Sequence, residues 1–208
     1  MGVRRLFFDC SKRYRSLDMV ARQVENIDDI AAVVADSPWH MDVLRTVNAL
    51  NLKDWMIGAG FIRNIVWDHL HGYDSHTPLS DIDVIYFDPV EAEPSYDQDY
   101  EVKLSAVLSG VPWSVRNQAR MHTRNSDQPY LSIEDAIAHW LETPTCVGVT
   151  LCENNVVSVI APYGVEDLLS LQVRPTQWGG KKPEIYRERV DKKDWLKYWP
   201  KLRILYAD

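Results

Sequence analysis

Long hydrophobic runs are missing from this sequence: none approaches the roughly eighteen apolar residues that a membrane-crossing helix needs. That absence removes the classes of integral membrane protein built from helices. The opening segment MGVRRLFFDCSKRYR also lacks the apolar core and small-residue cleavage site of a secretory leader, so a cytoplasmic protein is expected. Cysteine is scarce. Cys10, Cys146 and Cys152 cannot all pair within one chain and have no metal-site spacing, which points to reduced thiols rather than a disulfide framework. Positive charge is in deficit as well, with 23 Lys and Arg against 30 Asp and Glu and a net charge of −7. Broad, sequence-independent nucleic-acid binding neutralises many phosphates with cations, so it is not expected of the whole surface. Internal repeats and low-complexity tracts are absent too.

What is present suffices for an ordinary core: 46% of the 208 residues are apolar and 25% charged. One domain with a small appendage is the natural division. Residues 1–26 mix basic and aromatic residues without a period and read as an N-terminal arm. Residues 27–178 carry the periodic elements. Residues 179–208 form a basic, aromatic segment expected to rest on the same domain. Between Gly179 and Arg203 nine Lys or Arg meet four acids, which suits either a solvated helix face or a contact surface for phosphate or RNA. Trp55, Trp67, Trp113 and Trp140 fall at apolar-periodic positions and belong in the core. Trp178, Trp195 and Trp199, with Tyr186 and Tyr198, are the better candidates for stacking on a base.

The chemistry concentrates in residues 55 to 88, WMIGAGFIRNIVWDHLHGYDSHTPLSDIDVIYFD. A short apolar strand over Trp55 to Ile57 ends in Gly58-Ala59-Gly60, and an amphipathic helix is expected over Phe61 to Leu70. His71-Gly72 reads as its stop. A polar loop then leads to a second strand, Ile82 to Phe87. Side chains alternate along a strand, so Asp81 and Asp83 point the same way. Two carboxylates at that spacing can hold a hard divalent cation, Mg²⁺ or Mn²⁺, through oxygen. The glycine turn at a helix start exposes unpaired N–H groups to an approaching phosphate. Arg63 is placed either to fork onto that phosphate or to pair with a nearby acid. His69, His71 and His76 read as helix-end and loop polarity.

Upstream, Asn26 or Asp28 caps a short helix, and Ser37-Pro38 opens a second, with Ser37 as its expected cap. Downstream, a helix runs through Val102, Leu104, Val107 and Leu108 to Gly110, and Trp113 to Gln118 alternates as a third strand. Arg120 and His122 follow it, positioned to meet a triphosphate or, for His122, to act as a base. Ser132 starts another helix. Thr145 to Cys152 and Val156 to Ile160 flank Glu153-Asn154-Asn155 as a hairpin, and Tyr163-Gly164 opens a last short helix. Together these elements predict an α/β (α+β) fold with a small mixed sheet and flanking helices.

Gly58-Ala59-Gly60-Phe61-Ile62-Arg63-Asn64 with Asp81-Ile82-Asp83 resembles the signature of the DNA polymerase beta-type nucleotidyltransferase superfamily, and Ala59-Gly60-x-x-Arg63-Asn64 is similar to the Gly-Gly-x-x-Arg-Asp of CCA-adding enzymes. With Val66-Trp67-Asp68, Asp81 to Asp88, Asn117 to His122 and Ala161 to Gly164, residues 40 to 203 resemble a family of small bacterial nucleotidyltransferase-like proteins. The resemblance implies a polymerase beta-like fold and transfer of a nucleotidyl group from a nucleoside triphosphate to a small molecule, a protein or an RNA end. It also implies Mg²⁺ or Mn²⁺ on Asp81 and Asp83, and nucleotide contacts from Gly58, Ala59, Gly60, Arg63, Asn64, Arg120 and His122. Asn64 stands where CCA-adding enzymes carry Asp and is expected to hold the Asp81 loop. In the superfamily a third carboxylate on a neighbouring strand completes the metal site. Trp113 to Gln118 has no acid, so Asn117 substitutes, or Asp88 or Glu101 reaches in, or the fold binds nucleotide or RNA without turnover. Asp88, seven residues from Asp81, points to the opposite face.

Overall fold

The computed structural model describes residues 23–91 and 93–206. Most of the expected N-terminal arm, with Cys10, lies outside the described residues.

Two helices lead in. Helix α1 (Ile27–Ala35) starts on Asn26, whose side chain accepts from the N–H groups of Asp28 and Asp29, while the Asp29 carboxylate accepts from the Asn26 N–H. That reciprocal pairing satisfies donors a helix start leaves free. Helix α2 (Pro38–Asn48) uses Pro38 in its first turn, but Ser37 makes no side-chain cap. The Ser37 hydroxyl turns instead to His40 Nδ1 at 2.7 Å, inside the protein.

A five-stranded mixed sheet follows, in the order β3-β2-β1-β4-β5. Strand β1 (Met56–Gly58) lies at its centre, antiparallel to both β2 (Ile82–Tyr86) and β4 (Gly148–Leu151). Strand β3 (Trp113–Asn117) runs parallel to β2, and β5 (Val157–Ile160) closes the expected hairpin with β4. The parallel pair is joined by α4 (Ser95–Val107), as a parallel crossover needs.

Alternation along the strands separates two apolar clusters. Ile57, Ile82, Val84, Tyr86, Val115 and Val149 join the larger core with α1, α2 and α3 (Gly60–His71). Met56, Ile85 and Phe87 face the other way, onto Tyr130 and onto Ile133, Ala136 and Ile137 around α6 (Ile133–Ala138); short α5 (Met121–Asn125) precedes it. Asp83 shares the strand face of Ile85 and Phe87 by period.

After β5, α7 (Glu166–Leu169) packs on α3, where the Trp67 indole donates to the Leu168 carbonyl at 3.3 Å. The chain continues through β6 (Gln172–Val173), α8 (Gln177–Gly180), α9 (Pro183–Lys193), α10 (Trp195–Tyr198) and β7 (Arg203–Ile204), and β6 and β7 pair in parallel. Buried Tyr186, Val190, Trp195, Trp199 and Leu202 join this segment to the larger core.

Candidate functional site

The site begins where β1 turns into α3. Ala59 is the N-cap of α3 and takes φ 53°, ψ −119°, the conformation of the first central residue of a type II′ turn that glycine normally fills. Its N–H is held by the Val147 carbonyl at 3.0 Å, and its own carbonyl accepts from Arg63 N at 3.0 Å. A Cβ on Gly60 would stand 3.3 Å from Leu79 Cδ2 and 3.5 Å from Arg63 Nη2, so glycine keeps this approach open. Gly58 serves packing, because a Cβ there would meet Trp140 Cη2 at 2.7 Å. The first N–H groups of α3 have no partner within the helix and carry its positive end.

Asp81 and Asp83 lie across from this turn. Asp81 is exposed and accepts from the Ser80 hydroxyl at 2.8 Å. Asp83 is partly buried. Desolvation first, and the Asp81 carboxylate second, push its carboxyl above the usual range, while Lys193, Arg189 and Arg63 pull it back. Two oxygen-donor groups that repel each other suit a hard divalent cation, whose charge removes that repulsion. Among the described residues no third His, Cys, Asp or Glu joins them.

Arg63 is buried on α3. It donates to Thr145 Oγ1 at 3.0 Å and to Asn64 Oδ1 at 2.9 Å, and its guanidinium lies over the Trp67 ring at 5.1 Å and the Trp195 ring at 4.9 Å. Among the described residues no acid pairs with it directly, and burial lowers its pKa to about 10. Asn64 therefore engages Arg63 and not the Asp81 loop. That loop is held by Asp68, only 1% exposed, whose Oδ2 accepts from Thr77 N at 2.7 Å and whose Oδ1 accepts from Thr77 Oγ1 at 2.6 Å.

The opposing wall comes from the C-terminal segment. Arg189, Lys192 and Lys193 on α9, with Trp195, Tyr198 and Trp199 just beyond, complete a cleft of about 330 Å³ lined also by Ala59, Gly60, Arg63, Asn64, Asp81 and Asp83. Trp195 and Trp199 are buried, packed edge-on against Trp67 at 5.9 and 5.1 Å between centroids. They anchor the segment instead of offering free faces for stacking. Arg189 pairs with wholly buried Glu142. The cations of this wall are residues that motif reading missed; the local excess of Lys and Arg was their only trace.

Several expected residues lie elsewhere. The β2–β3 register sets Asn117 opposite Tyr86, three positions beyond Ser114, which is level with Asp83. The Asn117 amide is fully buried and fully used, donating to the carbonyls of Asp88 and Glu91 and accepting from the N–H groups of Asp88 and Ala119. It is a post for the loop after β2. Glu101 accepts from Val115 N and from Arg116, and Asp88 accepts from Val90 N, so neither turns to the aspartates. Arg120 pairs with buried Asp97, and His122 Nδ1 meets the Ala119 carbonyl at 3.0 Å; neither lines the cleft.

Comparison with known proteins places the chain in a family and a fold. A family model described as nucleotidyltransferase matches residues 45–204. An NMR structure described as revealing the head domain of a CCA-adding enzyme superposes with a TM-score of 0.80 at 32% identity, over 91% of this chain and 100% of that one. A CCA-adding enzyme in complex with CTP shares the fold at 12% identity and a TM-score of 0.54, over 88% of this chain, which spans 44% of that larger one. No sequence among curated proteins matches.

Proposed function

Since the chain belongs to the nucleotidyltransferase family, we propose that it transfers a nucleotidyl group from a nucleoside triphosphate to a hydroxyl acceptor, with Mg²⁺ or Mn²⁺ bound to Asp81 and Asp83. The acceptor hydroxyl gives its proton to solvent, its oxygen bonds to the α-phosphorus as the bond to pyrophosphate breaks, and pyrophosphate leaves. The cation, when bound, supplies charge neutralisation on the phosphates and activation of the attacking oxygen.

The observation that carries this reading is a single cleft in which the Ala59-Gly60 turn and two aspartates face four cations, Arg63, Arg189, Lys192 and Lys193. Arg189 is committed to Glu142, so Arg63, Lys192 and Lys193 remain to meet the negative charge of a triphosphate with its divalent cation. The first N–H groups of α3 receive phosphate oxygens, Arg63 offers a fork seated against two indoles, and the α9 cations stabilise the departing pyrophosphate. The relative with CTP bound, though distant, is consistent with a nucleotide as donor. The acceptor hydroxyl belongs to a small molecule, a protein or an RNA end. A cytoplasmic setting fits the free thiols of Cys146 and Cys152, and no helix among the described residues is long and apolar enough to cross a membrane.

A binding module without turnover is the second reading, favoured by the lack of a third carboxylate beside Asp81 and Asp83 among the described residues. Thermal unfolding tests the site common to both. Mg²⁺ with a bound triphosphate at a hundredfold excess over its Kd should raise Tm by about 5 °C or more. Asp81→Asn with Asp83→Asn should abolish most of that shift, and an equal shift in the double variant would sink the assignment. Labelled nucleotides incubated with a cell lysate then separate the two readings: an Asp83-dependent labelled acceptor supports transfer, and none with any of the four nucleotides supports binding alone.

A further inference from the structure

One buried carboxylate touches both walls of the cleft. Asp68, on the last turns of α3, takes two donors from Thr77 in the loop that leads to Asp81, and its Oδ1 also accepts from the Trp199 indole N–H at 2.8 Å. Thr77 and Trp199 both line the cleft, one on the aspartate side and one on the basic side. Around this junction lie three further ties to the C-terminal segment. Tyr73 Oη donates to the Tyr198 carbonyl at 2.6 Å, Lys201 Nζ to the Leu70 carbonyl at 3.1 Å, and Lys201 N to His71 Nε2 at 3.1 Å, with His71 Nδ1 on the Trp67 carbonyl. Those ties are exposed or near the surface. The bond from Trp199 to Asp68 is the buried one, and a charge-assisted bond in a dry setting is the stronger kind.

We propose that Asp68 is a positioning residue that sets the distance between the aspartate loop and the basic wall, so that metal and triphosphate are received in one geometry. The proposal rests on the nucleotide reading above. Asp68 touches neither ligand. On one side it fixes Thr77, four residues before Asp81; on the other it fixes Trp199, which with Trp195 seats the end of α9 carrying Lys192 and Lys193. A carboxylate suits the post because all three contacts are donors and an ionised carboxylate only accepts. An amide in its place would turn an N–H group toward a donor.

Variants that delete one donor at a time separate this role from general support. Trp199→Phe keeps a ring against Trp67 and removes the indole N–H; Thr77→Val removes the hydroxyl and leaves the backbone donor. Binding is followed by titration with MnCl₂ alone and with Mn²⁺ and inorganic triphosphate, a probe that needs no choice of base. Trp199→Phe should weaken triphosphate binding about tenfold, the worth of one hydrogen bond, and several times more than it weakens Mn²⁺ binding. Thr77→Val should show the reverse bias, and Asp68→Asn should lose both. Equal weakening of both probes in each single-donor variant, or wild-type binding of both by a cooperatively melting Asp68→Asn protein, would overturn the proposal. A wild type that binds neither probe takes down the nucleotide reading and this inference with it, whereas wild-type binding unaffected by the variants takes down this inference alone. If Asp68→Asn does not fold, the opposite biases of Trp199→Phe and Thr77→Val carry the test.

Discussion

The two walls of the cleft are built on different principles. The wall from β1, α3 and β2 presents backbone N–H groups and two short carboxylates, all within a few bonds of the sheet that places them. The wall from α9 and α10 presents long cationic side chains, and its position depends on two indoles docked against Trp67 and one half-buried pair, Arg189 with Glu142. A wall of the first kind is fixed once the strands pair. One of the second kind is fixed only when residues 142 and 189, or 68 and 199, come together, so the basic wall should be the easier one to displace.

The largest effect expected from that contrast is at Arg189. Glu142 is wholly buried, its Oε1 is paired to Arg189, and its Oε2 has no hydrogen-bond partner among the described residues. Arg189→Met leaves that charge uncompensated and should lower stability by about 3 kcal/mol, read as a shift of the urea midpoint. Lys192→Ala, on the exposed side of the same helix, should cost under about 0.5 kcal/mol while still weakening triphosphate binding. Equal stability losses at the two positions would break the view that Arg189 anchors the wall and Lys192 only decorates it.

Acid acts on the other wall. The histidines of this protein lie between residues 40 and 139, and of these His71, which accepts from Lys201 N, and His139, stacked on Trp178, touch the C-terminal segment, whereas His40 lies against α3. His40 is buried against Phe61 and His76, and desolvation, with His76 adding to it, lowers its pKa to about 3. The unfolded chain takes up that proton near pH 6.5, the folded one not until about 3. Protons therefore favour unfolding throughout this window, and stability is lost as pH falls from 6.5 toward 3. By pH 4.5 the loss from His40 should be about 3 kcal/mol. His76, also lowered by burial, adds to it with the same sign. Urea midpoints between pH 8 and 4.5 should fall with a clearly shallower slope in His40→Gln. An unchanged slope would move the acid sensitivity away from the motif wall.

The same contrast explains what could be read beforehand. That Gly60, Asp81 and Asp83 come together in one cleft was legible because their placement follows from local backbone: a turn at a helix start and a period of two along a strand. The mixed sheet's strands were legible for the same reason, the last expected over Val156 to Ile160 and found over Val157–Ile160, but their order across the sheet was not. Asn117 was misplaced because alternation gives the face of a residue within its own strand but not its level against the neighbour, and parallel pairing sets Ser114 beside Asp83. Asn64 was given the loop-holding task that belongs to Asp68, whose partners Thr77 and Trp199 stand 9 and 131 residues away. Trp195 and Trp199 looked free for stacking in a polar segment, yet both are buried on α3, a fact of docking that no local pattern carries.

The smallest expected effect tests the motif wall at its one strained point. Ala59 holds a glycine-type backbone conformation, and its Cβ gains little beyond burial in return. Strain of this kind is worth on the order of 1–3 kcal/mol, against roughly 0.5–1 kcal/mol of extra chain entropy that glycine loses on folding. The balance favours Ala59→Gly by about 1 kcal/mol, a rise in Tm of about 2–4 °C for a domain of this size. Because the substitution leaves the N–H groups of α3 where they are, triphosphate binding should stay within about twofold of wild type. A fall in Tm would mean that packing of the Ala59 methyl group outweighs the strain. In that case the turn, like the basic wall opposite, would depend on side-chain docking and not on backbone geometry alone.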